Sequence, residues 1–103
     1  MSLHPLAGQT APAAMLPNIA QLMAAYYSLK PDVAIASQQV SFGTSGHRGG
    51  ALLKSFNEQH ILAIVQAVAE YRKQQGFSGP LFLGKDTHGL SEAAFVSTLQ
   101  VLI

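Results

Sequence analysis

Phe42-Gly43-Thr44-Ser45-Gly46-His47-Arg48-Gly49-Gly50 is the stretch that decides how this chain is read, with four glycines in the eight positions 43–50. Glycine in a helix or strand interior costs ~0.5–1 kcal/mol. The segment therefore reads as a loop whose backbone takes conformations other residues avoid. Successive N–H groups in such a loop can converge on an anion. Thr44 and Ser45 add hydroxyl donors, and Arg48 adds a permanently charged, planar fork that matches phosphate. Composition alone leaves two readings open, a phosphate-reading loop and a glycine-rich turn carrying a solvated arginine. Three familiar motifs are excluded. No Gly-Lys-Ser/Thr follows at P-loop spacing, the glycines do not fall as Gly-x-Gly-x-x-Gly, and His47 stands where a nucleophile elbow around Ser45 needs glycine.

Outward from the loop, the flanks read as α/β structure. Val40-Ser41-Phe42 alternates apolar and polar, as a short half-buried strand does. Downstream, two starts for a helix are open: Ser55-x-x-Glu58 has capping-box spacing, and Asn57 can cap with Phe56 stapled onto Ile61. Either start puts Ile61, Ile64, Val65, Val68 and Tyr71 on one stripe. Arg72 and Lys73 complement the C-terminal dipole, and Gly76 supplies the stop. Leu81-Phe82-Leu83, apolar throughout and bounded by Pro80 and Gly84, reads as a strand covered on both faces, as in a parallel sheet. Gly84-Lys85-Asp86-Thr87-His88-Gly89 forms a second loop at its C-terminal end. Ser91 then caps a last helix whose buried face is expected at Phe95, Val96, Leu99 and Leu102. Two strands, each followed by a loop and a helix, give the βα order in which ligands sit at the carboxyl ends of the strands.

Upstream, residues 1–16 show no period and read as a loose arm. Pro17 suits a first helical position, and Ile19, Leu22, Met23 and Tyr26 share a packing face before Pro31 closes the helix. Residues 31–39 read as a linker. The chain divides into 1–39, an arm with a helix and linker, and 40–103, an incomplete α/β domain. The apolar Val101-Leu102-Ile103 ending carries no helix stop, which leads us to expect the front of a longer protein.

Composition removes several function classes. Of the 103 residues, 11% are charged and 49% hydrophobic, with six Lys+Arg against five Asp+Glu for a formal net charge of +1. That is far below the ~25% charged of an average domain and argues against disorder. The basic residues are scattered, unlike the clusters that bind nucleic acid. There is no cysteine, hence no disulfide framework or thiolate nucleophile. His4, His47, His60 and His88 show no i, i+4 pair, so no metal site is expected. For His60, in the first turn of a helix, a solvated or capping role outweighs catalysis. No apolar run approaches the ~20 residues needed to cross a bilayer, and the N-terminus lacks a signal-peptide pattern. We expect no membrane partner and a cytoplasmic location.

With those residues in view, Phe42–Gly49 resembles the N-terminal signature of the α-D-phosphohexomutases, and His47 resembles their bacterial phosphoglucomutase branch. Ser55-Phe56-Asn57-Glu58-x-His60-Ile61-Leu62-Ala63-Ile64 and Gly84-Lys85-Asp86-Thr87-His88-x-Leu90-Ser91-Glu92 are similar to the same branch, in the same order. The resemblance implies a four-domain enzyme, of which residues 40–103 are part of the first α/β/α domain. It also implies a phosphosugar substrate, with glucose 1-phosphate and glucose 6-phosphate interconverted through a phosphoserine, Mg²⁺ and glucose 1,6-bisphosphate. Carried onto this chain, Arg48 is the active-site arginine, and Thr44, Ser45, Gly46 and His47 shape its loop. Lys85, Asp86, Thr87 and His88 form a supporting loop, in which Asp86 ties the turn together more than it takes part in chemistry. The departures are equally specific. No serine precedes His-Asn, and Asp32 and Asp86 are the only aspartates, so neither the phosphoserine motif nor the aspartate-rich metal loop is present. Ser45 is then not the nucleophile, and the remaining domains must come from the rest of the protein. The alternatives are a non-catalytic phosphate-binding or interaction module, and a phosphomannomutase or phosphoglucosamine mutase relative.

Overall fold

The computed structural model describes residues 2–103. Three helices carry the structure: α1 (Ile19–Ser28), α2 (Glu58–Gln74) and α3 (Ser91–Leu102). Between α1 and α2 lie two short strands, β1 (Phe42–Gly43) and β2 (Gly46–His47), flanked by 3₁₀ turns at Ala36–Gln38 and Ala51–Leu53. The radius of gyration is 16.6 Å, against ~13 Å for a compact domain of this length. The core is correspondingly small.

Helix α1 starts two residues later than Pro17 suggests. Asn18 is the cap, its side-chain oxygen accepting the Gln21 N–H at 3.0 Å, and Pro17 lies just outside. Of its expected packing face, Tyr26 is fully buried, Leu22 and Met23 are half-buried and Ile19 is exposed. Residues 2–16 bury nothing among the described residues, as a loose arm should. The boundary at 39/40 does not coincide with a break in packing, because Ala25 and Tyr26 share one core with Ala51, Ile61, Val65, Leu90 and Ala93.

For α2 the structure selects the second of the two starts. Asn57 occupies the cap, and its backbone N–H donates to His60 Nδ1 at 2.9 Å, so histidine takes the place a Glu or Gln holds in a capping box. Phe56 packs half-buried against the core cluster that contains Ile61. Asn57 itself is completely buried. Its Nδ2 donates to Ala25 O at 2.9 Å and Ala51 O at 3.1 Å, joining α1, the 51–53 turn and α2 at one point. Only the first half of the expected stripe is covered: Ile61 and Val65 are buried, whereas Val68 and Tyr71 are exposed. The helix ends on Gly76, whose φ of +68° is the left-handed conformation that glycine adopts without strain.

Three expectations need correction. Among the described residues the only sheet is the antiparallel pair β1–β2, in register Phe42↔His47 and Gly43↔Gly46. The strand expected at Val40–Phe42 thus moves into the glycine loop, where Thr44-Ser45 turn without positive φ and Gly46, at φ +98°, follows them in the left-handed conformation to close the hairpin. Second, Leu81–Leu83 forms no ladder, because no neighbouring strand offers it backbone partners; Phe82 is 90% exposed. Third, α3 is rotated relative to its expected face. Ser91 is its first residue rather than its cap, and Ala93, Ser97 and Thr98 are buried while Val96 and Leu99 are exposed. The cause is polar. Tyr26 donates through its hydroxyl to Ser97 Oγ at 2.9 Å, and Ser97 donates to Glu58 Oε2 at 3.1 Å, which turns the small-residue side of α3 inward.

Candidate active site

The first loop is built by hydrogen bonds around Ser55. Ser55 O lies 2.7 Å from His47 Nε2, so that nitrogen carries the proton, and Nδ1 is left to accept the Ser41 N–H at 3.1 Å. Gly50 N donates to Ser55 Oγ at 2.9 Å, while Ser55 N donates to Gly50 O at 3.1 Å. Gly49 has to be glycine here: a Cβ would sit 2.3 Å from Ser55 O. Behind His47, the His60 ring stacks at a centroid distance of 5.4 Å with 21° between planes, and Phe56 stacks at 6.2 Å. His60 is buried, with Nε2 donating to Gln38 O at 2.7 Å. Of the two roles weighed for His60, capping is what it does, and solvation is not.

The second loop is closed by Asp86. Its Oδ1 accepts the His88 N–H at 3.0 Å and the Ser91 hydroxyl, which ties the loop to the first residue of α3. These donors, the Ser91 hydroxyl foremost and then the His88 amide, hold the Asp86 carboxyl below its usual range. His88 Nδ1 accepts the Leu90 N–H at 3.1 Å. Lys85 pairs with Glu92, and its ammonium lies 5.3 Å from the centre of the Phe95 ring.

The two loops meet across one open cleft of about 670 Å³. His47, Arg48, Gly49 and Gly50 line one side, and Gly84, Lys85, Asp86 and His88 line the other; Phe56, Leu90 and Phe95 supply apolar wall. Thr44, Ser45 and Gly46 sit away from it at the hairpin, and Thr87 does not line it either. Arg48 is exposed at the rim and has no hydrogen-bond or ion-pair partner among the described residues. The Arg48 guanidinium at this rim suits an oxyanion, whereas the Lys85 ammonium is already paired with Glu92. The cleft does not suit a magnesium ion. Among the described residues no three His, Asp or Glu side chains gather, and the cleft's aspartate is already committed to its own loop. Sequence reasoning missed Ser55 as a loop residue, having read it as a possible cap, and missed Ser91 as Asp86's partner.

Residues 39–103 match the family model described as Phosphoglucomutase/phosphomannomutase, alpha/beta/alpha domain I. The chain belongs to that family. It is also similar to a phosphoglucomutase of Komagataeibacter xylinus, 57% identical over 100 residues, an alignment that takes in 97% of this chain and 18% of that relative. The chain therefore spans less than a fifth of the length of the curated relative it matches. The resemblance seen in the glycine-rich signature and its two companion segments thus extends over nearly the whole chain.

Proposed function

We propose that this chain is the N-terminal part of a phosphoglucomutase, a cytoplasmic phosphotransferase-type isomerase that interconverts glucose 1-phosphate and glucose 6-phosphate. The observation that carries the reading is the convergence of the Arg48 loop and the Lys85–His88 loop on one cleft. The 57% identical phosphoglucomutase supports the choice of sugar phosphate. Arg48 is the catalytic cation. Phosphoryl transfer is mostly positioning and charge stabilisation, and a planar fork can follow the charge as it moves between phosphoryl oxygens. Gly46 and His47 shape its loop, with Thr44 and Ser45 at the hairpin turn. Lys85, Asp86 and His88 form the opposite wall, with Thr87 in the same loop but outside the cleft, and Asp86 is structural. The phosphoserine, Mg²⁺ and glucose 1,6-bisphosphate of the reaction belong to the assembled site of the whole protein; among the described residues the carboxylates form no cage for a cation.

The test is a coupled assay of glucose 6-phosphate formation by the whole protein. Arg48→Lys keeps the charge and loses the fork, so kcat falls by roughly 10²-fold with a smaller change in KM. Near-normal kcat in that variant removes Arg48 from the chemistry, and preferential turnover of a mannose or glucosamine phosphate redirects the substrate class. Residues 1–103 alone give no turnover above buffer; any would overturn the reading that the chemistry needs the rest of the protein.

A further inference from the structure

We propose that Ser55 is a positioning residue for Arg48, holding the backbone on both sides of it. The inference rests on the role given to Arg48 above and adds a residue that the signature does not contain. Residue 47 is held by its ring donating to Ser55 O at 2.7 Å. Residue 50 is held three times, Gly50 N donating to Ser55 Oγ at 2.9 Å, Ser55 Oγ donating to Gly50 O at 3.4 Å and Ser55 N donating to Gly50 O at 3.1 Å. Residue 49 is pressed so close that a Cβ would lie 2.3 Å from Ser55 O and 2.6 Å from Ser55 Oγ. The arginine between them is exposed and has no side-chain partner among the described residues. Its aim therefore comes from its backbone. That backbone is clamped by one residue five or more positions away, which sits three residues before the start of α2.

The stack behind His47 makes the clamp stiff. His60 is anchored to the α2 cap through Asn57 N and to the preceding linker through Gln38 O, and its ring lies against that of His47. A His47 ring displaced from Ser55 would have to move against His60 and Phe56. A shift in the clamp therefore passes to Arg48 rather than being absorbed around it.

A double-mutant cycle in the whole protein, read as kcat and KM for glucose 1-phosphate, tests this. Ser55→Ala removes the Oγ contacts alone. It should lower kcat by about tenfold, less than the ~10²-fold expected of a 1 Å misplacement, because the Ser55 backbone contacts survive. KM should change by less than about twofold, as expected for an interaction expressed in the transition state. In an Arg48→Ala background the same substitution should change kcat by less than about twofold, since there is no guanidinium left to aim. An equal loss in both backgrounds, or a silent Ser55→Ala beside a crippling Arg48→Ala, overturns the clamp and leaves the role of Arg48 intact. A silent Arg48→Ala overturns both. Amide exchange at Gly50 gives a readout that does not depend on activity: Ser55→Ala should accelerate it while the α2 amides stay as slow as in the wild type. Unchanged exchange at Gly50, or acceleration throughout α2, also overturns the clamp.

Discussion

Asn57 is placed to separate two readings of one residue, because aspartate and asparagine are equally good helix caps and opposite as hydrogen-bond donors. As a cap alone, Asn57→Asp should be neutral or slightly stabilising, with a carboxylate at the positive end of α2, and Asn57→Ala should cost ~1 kcal/mol. The structure points to a different order. The Asn57 side chain is completely buried, and Nδ2 bridges Ala25 O at 2.9 Å and Ala51 O at 3.1 Å. Its Oδ1 is directed at the first turn but makes no well-formed hydrogen bond. Alanine removes two buried hydrogen bonds, each worth ~1 kcal/mol net, and keeps the backbone bond to His60, so a loss of about 2 kcal/mol follows. Aspartate keeps the shape but aims a buried carboxylate at two carbonyl oxygens, and should cost at least as much as alanine. Urea denaturation followed by helical circular dichroism measures the order. Asn57→Asp within about 0.5 kcal/mol of wild type would show that the bridge contributes little and the cap nearly everything.

Three further outcomes follow from the polar groups of the core and the second loop. Ser97→Ala strands the buried Tyr26 hydroxyl and should destabilise the chain by about 2 kcal/mol, whereas Tyr26→Phe/Ser97→Ala should recover part of that; a double variant weaker than Ser97→Ala alone would refute the pairing. Burial pushes the Tyr26 phenol above its ordinary value of 10.0, so the unfolded chain loses that proton first; stability should fall as pH rises above 10.0, and this slope should disappear in Tyr26→Phe. Asp86 behaves in the opposite sense. Its carboxyl is held below its ordinary value of 3.8, so its contribution is present above that pH and is lost as pH falls through the lower folded value; acid titration of Asp86→Asn should lack that component.

How much of the fold was legible depended on whether a segment's structure is decided by its own residues. Helix α2 was, since its stripe, basic last turn and Gly76 stop are local properties, and even its correct start was among the two that the sequence allows. Leu81–Leu83 was not. A strand is a statement about a neighbour, and an apolar triplet carries β propensity without carrying a partner. The face of α3 failed for a different reason. Periodicity ranks Phe95, Val96, Leu99 and Leu102 as core, of which Phe95 and Leu102 are half-buried and Val96 and Leu99 exposed; the helix turns inward on Ala93, Ser97 and Thr98 because Tyr26 and Glu58 reach Ser97 across the interface. Hydrophobic pattern cannot anticipate a serine that is buried for its hydroxyl.

The loops of the candidate site were legible in the sequence and the contacts that support them were not, and the physics of loops explains the division. Arg48 and its glycines announce themselves because a fixed cation and unusual backbone freedom are rare together. Asp86 is legible as a turn residue because its oxygen bonds two positions ahead, at His88 N. Ser55 offers no such signal: a serine three residues before Glu58 is what a capping box looks like, and the cap is in fact made by Asn57 and His60. The hydroxyl left over from that reading is the one that meets Gly50. Gly49 could have pointed to it. Of the two adjacent glycines that follow Arg48, neither has a positive φ, so Gly49 is not there for a left-handed turn. It is there because Ser55 passes too close for a side chain. A glycine that its own backbone does not require marks a close neighbour, and beside an arginine proposed to be catalytic that neighbour is where its support should be sought.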